Sequence, residues 1–220
     1  MALPVAILIS GTGSNLRAIL EAADAGACDV EVRAVISDRE SAKGLELARS
    51  RNISTRAIKL KDFADRERWD AALAAAVVEH APSLVVLAGF MRVLGKAMIA
   101  RFPGRIINVH PALLPLFPGI DGPAQAVRAG VRVSGCTVHL VDSGVDTGPI
   151  IAQAVVPVLP ADDADRLHRR IQQLEHRLLP AVIDGVARGR IELGDEVRIA
   201  ERWFDPAAML ASPALALEEK

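Results

Sequence analysis

Along the first half of the chain, short apolar runs alternate with stretches whose apolar residues return at helical spacing. Short runs bounded by Gly, Pro, Asp or Ser suit strands, and longer periodic stretches suit helices. The pattern predicts strands at residues 5–10, 30–37, 56–59, 84–88, 105–109, 135–141 and 150–158. It predicts helices over residues 14–25, 42–51, 62–80, 95–101, 123–129 and 163–187. A repeated β-α order implies a parallel sheet with helices on both faces. The last two strands are joined by a short loop, so they extend the sheet as a hairpin-like pair. The expected class is α/β, a doubly wound, mostly parallel sheet with an antiparallel C-terminal strand pair. In such sheets ligands sit at the carboxyl ends of the strands. Residues 11–15, 91–92 and 108–110 all follow predicted strand ends and can converge on one cleft. Residues 1–205 read as a single domain, and residues 206–220, rich in Ala, Pro and Leu, as a poorly packed tail.

Composition narrows the class of function. The chain has 220 residues, enough for one domain with a real core. A net charge of −1 gives no sign of binding to nucleic acid or to an anionic membrane. No apolar run reaches the ~20 residues needed to span a bilayer, and the N-terminus lacks the basic start of a signal peptide. Cys28 and Cys136 are far apart and in no C-x-x-C pattern, which suits small core or surface residues in a reducing compartment. The expected setting is the cytoplasm.

Within this frame, three segments carry chemistry. The first is Asn108-Val109-His110-Pro111 at the end of an apolar run. Residues two apart in a strand face the same side, so Asn108 and His110 can address one spot, and Pro111 and Pro115 hold the turn beyond them. An amide donor and a titratable ring on a rigid edge suit a reaction in which charge develops on oxygen. Taken alone, the pair also fits a strand-end His bonded to a loop. The second segment is the loop Ser10-Gly11-Thr12-Gly13-Ser14-Asn15, between a strand and a helix. Its glycines allow a tight turn, Ser14 or Asn15 can cap the helix, and free N–H groups at that end suit a phosphate. A dinucleotide fingerprint would need a third Gly where Leu16 stands, so Asp38 reads as a loop residue and not as a ribose-binding acid. The third segment is the acidic loop around Asp146, between Gly144 and Gly148. A carboxylate there can orient a His or relay a proton through water. An ordinary turn between two strands has the same appearance.

Together, in this order and spacing, these segments closely resemble the phosphoribosylglycinamide formyltransferases, folate-dependent enzymes of the wider formyltransferase superfamily. The resemblance rests on S-G-x-G-S-N-L, on A-G-F-M-R from Ala88 to Arg92, on N-x-H-P-x-L-L-P from Asn108 to Pro115, and on D-x-G-P-I from Asp146 to Ile150. It spans roughly residues 6–193 and implies a Rossmann-like fold. The implied reaction moves a formyl group from 10-formyltetrahydrofolate, as co-substrate, to the amine of glycinamide ribonucleotide, without a metal. Asn108, His110 and Asp146 would be catalytic, with Asp146 orienting His110 and favouring its charged form. Gly13, Ser14 and Asn15 would hold the ribonucleotide phosphate, and Gln172 and Glu175 its sugar and glycinamide end. Pattern alone would make Gln172 and Glu175 a solvated helix face. Arg66, Met91, Arg92, Val93, Leu94, Asn108, His139, Val141 and Asp142 would line the folate cleft. The partners would be small molecules, with neither nucleic acid nor membrane, and the chain a monomer or a homodimer. One departure stands out: residues 120–125, Ile-Asp-Gly-Pro-Ala-Gln, carry Asp121 and no histidine where the family often has one or two. This loop also resembles that of formyltransferases acting on methionyl-tRNA. Formylation of another amine, formyltetrahydrofolate hydrolysis and a nucleotide-binding module without catalysis are the competing readings.

Overall fold

The computed structural model describes residues 2–194 and 196–199, so the expected tail at 206–220 lies outside the described residues. Seven strands form one sheet in the order β3-β2-β1-β4-β5-β6-β7. The strands are β1 (Leu3–Ile9), β2 (Val30–Ser37), β3 (Ser54–Ala57), β4 (Leu84–Leu87), β5 (Ile106–His110), β6 (Val133–Leu140) and β7 (Ile150–Pro157). β1 to β5 pair in parallel, and β6 is antiparallel to both β5 and β7, which is the expected mostly parallel sheet with a strand pair added at its edge. The helices are α1 (Ser14–Asp24), α2 (Lys43–Ser50), α3 (Arg66–Val78), α4 (Lys96–Arg101), α5 (Gly122–Ala129) and α6 (Ala164–Ala187).

The central strands read as continuous apolar runs because both of their faces are covered. Val5, Ile7 and Ile9 of β1 pack with Leu16 and Ile19 of α1 and with Leu179 and Ile183 of α6. Ala6 and Leu8, the alternate residues, pack with Trp69 and Leu73 of α3 and with Met98 of α4.

The structure corrects some boundaries. The helix expected over 62–80 is a 3₁₀ turn, Leu60–Asp62, followed by α3. Asp65 interrupts it: its backbone is extended, and its carboxylate accepts from the Arg68 N–H at 2.7 Å, which starts the helix afresh. β3 lies two residues earlier than expected, in register with Ala34–Ser37 of β2. A separate two-stranded sheet, β8 (Ile191–Glu192) with β9 (Arg198–Ile199), was not predicted; two residues per strand leave no readable period. No described helix is long and apolar enough to cross a membrane.

Candidate active site

Asn108 and His110 close β5, at the carboxyl edge of the sheet. Antiparallel pairing with β6 sets Asn108 opposite His139 and His110 opposite Thr137. The loop between β6 and β7 returns Asp146 to the same spot, in a left-handed backbone conformation at φ 55°. Its Oδ2 lies 3.3 Å from His110 Nδ1 and its Oδ1 3.5 Å from His139 Nε2. The three residues that the sequence assigns to catalysis therefore meet, and His139 joins them.

The hydrogen bonds settle where protons sit. His110 Nε2 is 2.8 Å from the carbonyl oxygen of Phe117. A carbonyl only accepts, so Nε2 carries a hydrogen, and Nδ1 faces the Asp146 carboxylate. His139 Nδ1 likewise donates to the Leu140 carbonyl at 2.8 Å. Its Nε2 lies 3.1 Å from the Asn108 amide and 3.5 Å from Asp146 Oδ1, between the two. Burial alone would raise the Asp146 carboxyl, but the His139 ring, the Gly119 N–H and the charge of His110 outweigh it and hold the group below the usual carboxylate range. Gly119 donates at 2.8 Å.

The loop after β1 lies beside the last helix. Its cap differs from expectation: Gly13, in the left-handed conformation at φ 76°, is the N-cap of α1, and no side chain caps it. A Cβ at Gly13 would come within 2.7 Å of Gly44 Cα, so the α1–α2 packing excludes a side chain there. The first N–H groups of α1 have no side-chain cap, as an anion site requires. Gln172 of α6 donates to Ser14 Oγ at 3.0 Å, and Asn15 donates to Glu175 Oε2 at 2.9 Å. The five residues assigned to the ribonucleotide are thus gathered from opposite ends of the chain. Glu175 is 5% exposed, which corrects the solvated-face reading that pattern alone suggests.

Burial raises the Glu175 pKa above its ordinary value, against opposing contributions from Asn15 and His168. A carboxyl raised by folding contributes stability below its unfolded pKa and loses it as pH rises through the folded value. Glu175→Gln is therefore expected to raise the melting temperature at pH 7 and to leave it unchanged at about pH 4, near the unfolded carboxyl's pKa. Equal melting shifts at both pH values would remove the burial argument.

The residues assigned to the folate cleft fall in two places. Met91 and Val93 are exposed and Leu94 is buried; the Met91 N–H donates to Ser10 Oγ at 2.8 Å. Arg66 lies over the Trp69 ring, 4.8 Å from its centroid, and donates to the Val93 carbonyl. Arg92 turns to Asp38, at 2.9 Å. Asp38, expected as a loop residue, is buried beneath that ion pair. Across the cleft, the Val141 N–H donates to Ile106, and Asp142 accepts from Gly144 N–H and Thr147 Oγ at 3.0 and 2.7 Å, so the acidic loop is closed on itself.

Two supporting residues escaped the sequence reading. Buried Thr137 donates to the Ala112 carbonyl at 2.7 Å and accepts from Leu114 N–H at 3.0 Å, tying the turn after His110 to β6. Buried Asp70 accepts from the N–H groups of Gly95 and Ala97 at 2.7 and 2.8 Å, fixing the start of α4 directly after residues 91–94. Neither has a local signal, since each pairs with a segment remote in sequence. Asp70→Ala is expected to destabilise the fold by about 1–3 kcal/mol through orphaned N–H groups and to weaken donor binding more than ribonucleotide binding. Urea unfolding and the two KM values test this; unchanged stability would deny the capping role. Cys28 and Cys136 are buried thiols pushed up to about 11 and about 12 by burial, which leaves them protonated and inert.

An Asn, a His and an Asp converge on the carboxyl edge of an open α/β sheet, an arrangement suited to chemistry at a carbonyl group. The chain belongs to the formyl transferase family, whose sequence profile matches residues 3–183. It is 50% identical over 181 residues to the phosphoribosylglycinamide formyltransferase of Mycobacterium tuberculosis, covering 82% of this chain and 83% of the relative. It is 40% identical to the Escherichia coli phosphoribosylglycinamide formyltransferase over 201 residues, covering 91% and 93%. Among solved structures it matches glycinamide ribonucleotide transformylase 1 from Symbiobacterium toebii with a TM-score of 0.87 at 45% identity, over 91% of this chain and 95% of the other.

Proposed function

We propose that the protein transfers the formyl group of 10-formyltetrahydrofolate to the amine of 5′-phosphoribosylglycinamide, giving the formylglycinamide ribonucleotide of purine synthesis. The observation that carries this reading is the His110–Asp146 pair, with Asn108 beside it and the phosphate-type loop at the same sheet edge, two strands away after β1. The amine nitrogen attacks the formyl carbon, and the carbonyl oxygen takes up negative charge. The His110 ring, held by Phe117 at Nε2 and facing Asp146 at Nδ1, meets that charge electrostatically. Asn108 donates an amide N–H to the same oxygen. Asp146 balances the imidazolium, and water beside it carries the proton from the attacking nitrogen to the departing folate nitrogen. Collapse of the intermediate then breaks the bond between carbon and folate nitrogen. Gly13, Ser14 and Asn15 hold the phosphate, with Gln172 and Glu175 at the sugar. Arg66, Met91, Arg92, Val93, Leu94, His139, Val141 and Asp142 border the folate. The scheme needs no metal and takes small molecules only; a cytoplasmic monomer or homodimer suffices for it.

The direct test is loss of formyl from 10-formyltetrahydrofolate by purified protein, with and without the ribonucleotide. Turnover that depends on the ribonucleotide is expected. Equal consumption without any amine would make the protein a hydrolase, and turnover only with a different amine would replace the acceptor.

A further inference from the structure

The loop over residues 117–121 touches both halves of the His110–Asp146 pair. The Phe117 carbonyl accepts from His110 Nε2 at 2.8 Å, and the Gly119 N–H donates to Asp146 Oδ2 at 2.8 Å. Its backbone is left-handed at Phe117 (φ 58°), Gly119 (φ 82°) and Asp121 (φ 59°), and two of these are not glycine. Such conformations persist only where their surroundings hold them. The loop is too short and irregular to hold itself. From the first turn of α5, Gln125 reaches back into it: its amide donates to the Pro118 carbonyl at 3.1 Å and to the Ile120 carbonyl at 2.9 Å, on either side of Gly119. Its own N–H is already used within the helix, on the Asp121 carbonyl at 3.0 Å. Both hydrogens of one side-chain amide are thus spent on fixing the loop that fixes the catalytic pair.

We propose that Gln125 is a positioning residue for catalysis: it clamps the 117–121 loop so that the Phe117 carbonyl holds the His110 ring and the Gly119 N–H holds the Asp146 carboxylate. This rests on the formyl-transfer reading and adds to it a residue that touches neither substrate. The clamp acts by donation, so shape without donors does not replace it. The titratable groups facing Asp146 are His110 from β5 and His139 from β6, and the Gly119 N–H is the third group lowering its pKa. Loosening the loop weakens that third contribution, and the acid limb of the kcat profile moves to higher pH.

The test compares Gln125→Glu, which keeps the size and loses the donors, with Gln125→Lys, which keeps donors in reach of both carbonyls. Gln125→Glu is expected to lower kcat about tenfold or more, since small misplacements of catalytic groups carry penalties of this order. Its KM for the ribonucleotide is expected to stay within about twofold. Gln125→Lys is expected to recover most of the loss. In the protein without substrates, nitrogen-resolved NMR is expected to show the His110 Nε2 hydrogen slow to exchange in the wild type and in Gln125→Lys, and fast in Gln125→Glu. Wild-type turnover together with an unchanged kcat, acid limb and ring-hydrogen exchange in Gln125→Glu would overturn the clamp and leave the formyl-transfer reading standing. Loss of activity in both variants with a matching fall in melting temperature would also overturn it, assigning Gln125 to packing. A wild type without ribonucleotide-dependent turnover would remove the underlying reading, whatever the NMR result.

Discussion

Asp146→Asn is expected to fold normally and to lose a factor of about 10²–10⁴ in kcat, the range typical for a positioned acid–base group. The substitution keeps the size of the side chain and one carbonyl oxygen, so the Gly119 N–H at 2.8 Å retains an acceptor. What disappears is the negative charge 3.3 Å from His110 and 3.5 Å from His139. Without it the His110 imidazolium has no counter-ion on a ring that is 4% exposed, and the oxyanion forms beside a weaker donor. The loss belongs in kcat, because the charge is needed when the intermediate forms, with the ribonucleotide KM little changed. Stability gives a second readout. A carboxyl held below its usual range contributes stability above its unfolded pKa, and that contribution is lost as pH falls through the folded value. Asp146→Asn should therefore flatten the acid side of the stability profile. A variant with more than about a tenth of wild-type kcat would contradict the assigned role.

The largest expected effect on stability is at Trp69. It is fully buried, its Nε1 donates to the Ile58 carbonyl at 2.8 Å, and its ring stacks with Phe90 at 6.4 Å between centroids and 5° between planes. Trp69→Ala removes this packing and leaves the Ile58 carbonyl unpaired, and about 3–5 kcal/mol is expected. At about 2–4 °C per kcal/mol for a chain of this size, the melting temperature should fall by roughly 6–20 °C. The change should also raise the donor KM, since the ring is the platform under Arg66 and its neighbour Phe90 leads into residues 91–94. Trp69→Phe keeps an aromatic face but loses the hydrogen bond and part of the ring volume, for about 1–3 kcal/mol. Urea denaturation of the two variants decides the matter; less than about 1 kcal/mol for Trp69→Ala would mean the site collapses without a cavity.

The parts of the molecule that were legible in its sequence share a physical cause. β1 and β4 are covered on both faces, and that burial writes itself as a continuous apolar run. Asn108 and His110 were legible as a pair because strand geometry fixes their common side. Asp146 drew notice by chemistry, flanked by glycines, but nothing local measured its distance from His110. Glu175 was misjudged by pattern: on an amphipathic helix a lone Glu looks solvated, and only its pairing with Asn15, 160 residues away, explains its burial. Gln125 stood in the 120–125 run noted for its departure from the family, but its bonds to the Pro118 and Ile120 carbonyls, like those of Asp70 to backbone N–H groups, carry no side-chain signature. The Asp65 cap that splits the expected 62–80 helix was local and readable, an Asp followed by a charged first turn, but the longer period masked it.

The bonds from α6 to the first loop also set a timetable for a chain made from its N-terminus onward. Ser14 and Asn15 leave the ribosome early, and their partners Gln172 and Glu175 follow only after every strand of the large sheet has been synthesised. The nascent polypeptide thus carries Ser14 and Asn15 without these partners for most of its synthesis, until the last long helix is made. A prematurely terminated chain that stops within β7 would contain His110 and Asp146 but leave Ser14 and Asn15 without Gln172 and Glu175.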